Sequence, residues 1–176
     1  MNLRPLSDTR HTGEDRGTAL LGIYLNDHLA GATAGAERAR HMARSYRGSD
    51  LGAAMDPIAA EIAEDRASLA RIMRRLGVPL RQYKVYAGRV AELAGRLKSN
   101  GRLVRRSPLS PMLELEALRL GVEGKTALWQ TLRRLADDDE RLDARMLDEL
   151  LERARRQQNT LEELRRRQIG EAFLGA

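Results

Sequence analysis

His28, Asp65, Lys125 and Gln157 are the residues whose types and spacing suggest chemistry. Each interrupts a run of apolar residues at helical spacing. Each falls near the centre of its apolar arc when successive residues are turned by about 100°. An imidazole, a carboxylate, an ammonium and an amide in one interior could move a proton or hold an ion. A buried charge without compensation is very costly, so such groups are paired or neutralised. The spacing therefore predicts a shared network, with Lys125 on Asp65 and with His28 and Gln157 completing the hydrogen bonds. The alternative for Lys125 is a side chain that snorkels to water past Gly121 and Gly124.

The composition limits what else these residues could do. The 176 residues include no cysteine, which excludes disulfides, thiolate metal sites and thiol catalysis. Histidines occur only at His11, His28 and His41. There is no glycine-rich phosphate loop and no nucleophile constellation. Aromatic residues make up 3% of the chain, so the core must be built from Leu, Ile, Val, Ala and Met. A charged fraction of 32% reads as a soluble, globular chain, and the lack of cysteine fits the cytoplasmic setting expected. No stretch approaches the roughly 18 apolar residues of a membrane span. Net charge is +6 and the basic residues are spread out among Glu and Asp, which suits a solvated surface better than a nucleic-acid face.

Long helices must position the four polar residues. Helical period dominates and strand-like alternation is nearly absent. The first helix is predicted over 18–46, with the stripe Leu21, Leu25, His28, Ala32, Gly35, Ala39, Met42 and Tyr46. Gly31, Ala32, Gly35 and Ala36 thin its middle, and close approach of a neighbouring helix is the expected reason. The second helix is predicted over 51–76, stopped by Gly77 and Pro79. An alternative start has Asp56 as N-cap and Pro57 at the first helical position. A shorter helix over 82–98 lies in the connection that follows. The last two helices are predicted over 111–136, with Ser110 as N-cap, and over 142–169. The tail 170–176 is expected to dock through Phe173. Residues 1–16 read as a flexible arm and 17–176 as a single domain. Short turns make each successive pair of long helices antiparallel. Asp65 then lies one turn from His28, and Lys125 one turn from Gln157.

The predicted architecture is all-α: two antiparallel hairpins joined by a long crossover containing a fifth, shorter helix. Over about residues 18–170 this plan resembles the ferritin-like superfamily, as a divergent member. The resemblance implies a di-metal site in the bundle middle, built from inward Glu residues and Glu-x-x-His pairs. This sequence contains no Glu-x-x-His. Its second helix reads "EIAED" at the comparable place, with Glu61 and Asp65, and its fifth reads "ERARRQQ". Lys125 presents a cation where divalent metal would sit.

The expected function is a non-catalytic structural or interaction module with a buried polar cluster of His28, Asp65, Lys125 and Gln157 in place of the metal. No catalytic residue, cofactor or metal is assigned. A second copy or another protein is the expected partner, without membrane or nucleic acid. Two alternatives stay open. A divergent metal-dependent oxidoreductase or iron-handling protein would use His28, Glu61, Asp65 and Glu114. A nucleic-acid binder would use Arg102, Arg105 and Arg106 with Arg153, Arg155, Arg156, Arg165, Arg166 and Arg167. A ligand site beside Gly31 and Gly35 is a further possibility, ranked below close packing.

Overall fold

In the computed structural model, the described residues are 8–80 and 109–174. They form four long helices: α1 (Asp8–Ser45), α2 (Asp50–Arg75), α3 (Leu109–Leu135) and α4 (Ala144–Ile169). A single π-helical turn, Gly170–Leu174, follows α4. No strand occurs among the described residues.

Tight turns make the two hairpins. Ser49 caps α2 by accepting the Gly52 amide at 3.3 Å. Gly52 is required there, because a Cβ would lie 2.2 Å from the Tyr46 carbonyl oxygen. Asp143 caps α4 by accepting the Met146 amide at 3.0 Å. At the far end of α2, Gly77 adopts φ 70°. Its amide donates to Arg74 and the Val78 amide donates to Met73. That is a Schellman ending, with Val78 and Met73 both buried as its apolar contact.

The contacts fix the direction of every helix. Tyr24 meets Thr131, while Arg38 and Tyr46 both reach Glu114, so α1 and α3 run antiparallel. Glu61 meets Gln157 and Glu64 meets Arg153, so α2 and α4 do as well. The order is up, down, down, up. Near the end of α2, the Pro79 carbonyl accepts from Asn26 and the Leu76 carbonyl from Arg141. α3 begins at the opposite end, one turn before Glu114. Residues 81–108 join those two ends; the predicted helix over 82–98 falls outside the described residues.

One continuous core fills the space between the four helices, with Leu25, Met42, Met55, Leu69, Ile72, Leu115, Trp129, Leu132, Leu147 and Leu161 all but inaccessible. Several expectations need correction. α1 starts at Asp8, ten residues before the predicted Thr18. That stretch carries no apolar residue, so apolar period had nothing to mark it. α2 starts at Asp50, not at Asp56, and Pro57 lies inside it. Pro57 and Ala53 are both exposed, so the carbonyl that proline leaves without an amide can face water. α3 begins at Leu109, which puts Ser110 inside the helix and not at its cap. Phe173 is 61% exposed and does not dock.

The buried face of α1 is also turned from its predicted position. Leu25, Leu29, Thr33, Ala36, Ala39 and Ala43 are buried, while His28, Ala32 and Gly35 are only half-buried. Thr33 makes this face possible. Its hydroxyl donates to the Leu29 carbonyl at 2.9 Å and accepts from Arg66 Nε at 2.8 Å, so a polar residue sits inside without an unmet group.

Candidate functional site

Asp65 is the hub of the interior. It sits midway along α2 and is 1% exposed. Its carboxylate accepts from three side chains on two other helices. Lys125 Nζ of α3 reaches Oδ2 at 2.5 Å. Gln157 Nε2 of α4 reaches the same oxygen at 3.2 Å, and Arg153 Nη1 of α4 reaches Oδ1 at 3.1 Å. Lys125 also donates to Gln157 Oε1. The Gln157 amide therefore bridges acid and base, and it gives a further hydrogen bond to Glu61 Oε2 at 2.9 Å. Arg153 extends the cluster outward to Glu64 at 3.0 Å.

The geometry follows from helical spacing. Arg153 and Gln157 are one turn apart on α4, and Glu61 and Asp65 one turn apart on α2, so two facing pairs meet across the seam. Lys125 enters from α3, its side chain only 11% exposed. Burial pulls its amine below the ordinary lysine value, and the Asp65 carboxylate and its hydrogen bond push the other way. An ammonium at 2.5 Å from a carboxylate with an amide on its flank is a compensated buried pair. The snorkelling alternative for Lys125 is not the conformation adopted.

Of the four residues singled out in the sequence, Asp65, Lys125 and Gln157 come together. His28 does not join them. It is half-buried, packs edge-on against Tyr24 with ring centroids 4.4 Å apart, and makes no hydrogen bond to the cluster. Desolvation by burial lowers its pKa, with the nearby Asp27 opposing. The turn of the α1 face described above is the reason: Leu29 and Thr33 take the inward positions and leave His28 on a side wall. Two members of the cluster were not assigned to it from the sequence. Arg153 read as surface charge, and Glu61 only as a candidate ligand of the metal-dependent alternative. Their signal was the one-turn spacing from Gln157 and Asp65.

The thin middle of α1 is a second correction. A Cβ added at Gly31 or Gly35 of α1, or at Gly121 or Gly124 of α3, would have no neighbour within 4 Å. The helices do not close over these glycines. The glycines instead border a cavity of about 320 Å³ between α1, α2 and α3. His28, Asp65, Lys125, Leu118, Leu128 and Trp129 are among its wall residues.

The residues present do not fit a di-metal centre. Both Asp65 oxygens are taken by cationic or amide donors, and Glu61 is held by Gln157. Glu114 is bound to Arg38 and Tyr46 near the other end of the bundle. Among the described residues no three His, Asp or Glu side chains converge on a point that could hold a metal. Nor is any described helix long and apolar enough to cross a membrane.

Fold and site together define an all-helical bundle with a buried ionic cluster at its middle. Comparison of the chain with protein-family models, with curated proteins and with solved structures found no match.

Proposed function

We propose that this chain is a non-catalytic helical-bundle module, ferritin-like in plan, in which an ion-pair cluster stands where that plan would place two metals. The observation that carries the reading is the Lys125 ammonium seated on Asp65 at the centre of the bundle. A fixed cation there opposes any divalent ion, and each oxygen it and Arg153 engage is withdrawn from ligation. The up-down-down-up order, with the chain passing from one end of the bundle to the other between α2 and α3, supports the ferritin-like plan.

An interaction role is supported by the outer face of α3. Leu113, Ala117, Leu120 and Ala127 are all exposed, recur at steps of four, three and seven, and include no charge. That is the pattern a second helix packs against. The arginines of α4 support a nucleic-acid role poorly. Arg153, Arg155, Arg156, Arg165, Arg166 and Arg167 each pair with a carboxylate of the chain itself. Arg102, Arg105 and Arg106 lie outside the described residues.

Metal analysis of untagged protein, after incubation with Fe(II), Mn(II) and Zn(II) and removal of free ion, tests the reading. The bundle should retain well under one equivalent of any of them. Stoichiometric metal, lost on Asp65→Asn, would overturn it.

A further inference from the structure

The cavity between α1, α2 and α3 is a candidate binding site separate from the ion-pair cluster's own role. Its volume, about 320 Å³, lies at the small end of ligand pockets, which run from roughly 300 to 1,000 Å³. Most of its wall is apolar, from Ile62, Leu69, Leu118, Val122, Leu128 and Trp129. The four glycines at its border keep it open, since no neighbour occupies the space their side chains would fill.

Its polar groups are unequal in what they still offer. Lys125 carries three ammonium protons, and Asp65 and Gln157 take two of them. Arg66, also in the wall, donates its Nε–H to Thr33 at 2.8 Å, and no other donation from its guanidinium occurs among the described residues. Of the two wall carboxylates, Asp65 already receives three hydrogen bonds, and Asp27 is exposed to water. The wall therefore has donors to spare.

The charge at the site is already matched. Lys125 and Arg66 stand against Asp65 and Asp27 in the wall, and Asp65, the buried one of these carboxylates, is fully engaged by Lys125, Arg153 and Gln157. A further anion would have to lose its water beside Asp65, which is costly. The occupant that matches this wall is uncharged.

We infer that the cavity takes a small, largely apolar, uncharged molecule carrying a hydrogen-bond acceptor oxygen, such as an ester or a carbonyl compound. The apolar part lies against Leu118, Leu128 and Trp129, and the oxygen serves the spare donors of the wall.

The chain has a single tryptophan, and it lines this cavity, so its fluorescence reports the site directly. Pentyl acetate is the uncharged probe and hexanoate its anionic counterpart of similar size. Titration with pentyl acetate should change Trp129 emission to saturation, and hexanoate should bind at least tenfold more weakly. Gly35→Leu, which places a side chain in the open space, should weaken pentyl acetate at least tenfold while unfolding cooperatively like the parent. Gly124→Leu is the second filling variant, should the first fail to fold. The inference is overturned if pentyl acetate produces no saturable change. It is also overturned if the folded filling variant binds as the parent does, or if hexanoate binds as tightly as the ester.

Discussion

Removing one partner of the Asp65–Lys125 pair should cost unequal amounts, and the inequality can be worked from the contacts. Asp65→Leu strands Lys125, whose side chain is 11% exposed, and takes one of two carboxylates from Arg153. A buried charge left without its partner costs about 3–5 kcal/mol. Lys125→Met leaves the carboxylate with Arg153 and Gln157 still donating to it, so the loss is nearer that of one charged hydrogen bond, about 1.5–3 kcal/mol. The double variant removes both charges. It should recover part of the loss, with a coupling on the order of 1–3 kcal/mol. Urea unfolding at neutral pH measures all four species, provided the slope of free energy against urea stays constant. Losses of this size are a large share of the 5–15 kcal/mol typical of a domain, so the weaker single variant serves as the internal control. Additivity within about 0.5 kcal/mol, or a Lys125→Met variant costlier than Asp65→Leu, would refute the reasoning.

Two further outcomes follow from single residues. Burial lowers the His28 pKa below its ordinary 6.5, so below that pH the unfolded chain binds more protons there than the folded one. Its contribution to stability is thus present above 6.5 and is lost as pH falls; thermal unfolding between pH 7 and pH 5 should show the decline, and His28→Gln should flatten it. Asp143→Ala removes the cap of α4 and should cost about 1 kcal/mol in urea unfolding, with Asp143→Asn close to the parent.

Much of the arrangement was legible because long helices write a period into the sequence. The long helices and the inward positions of Asp65, Lys125 and Gln157 came from that period, and the stop at Gly77 and the two hairpins from the glycine, proline and short polar turns between the periodic runs. Where the period was silent or ambiguous, the reading went astray. The first turns of α1 carry no apolar residue to count. In the middle of α1, small and polar residues sit on both candidate faces, so the wheel could not choose between Ala32 with Gly35 and Thr33 with Ala36. Thr33 is inward only because Leu29 and Arg66 satisfy its hydroxyl, a fact of tertiary geometry. That one-residue rotation moved His28 off the cluster. It also left the glycines with open space in front of them, so a seam that looked suited to close packing became a cavity. Arg153 was misread for a related reason: an arginine on a charged helix looks solvated until a buried carboxylate is placed within its reach.

The central claim is that a charged amine is held at the middle of the bundle by Asp65. The chain has lysines only at Lys84, Lys98 and Lys125, so the Lys125 Nζ resonance can be assigned in a nitrogen NMR spectrum by comparison with Lys125→Arg. Near neutral pH it should appear as an ammonium whose protons exchange with water far more slowly than those of a free lysine amine, and Asp65→Asn should abolish that protection. An Nζ signal exchanging as fast as a solvated lysine, unchanged by Asp65→Asn, would contradict the account.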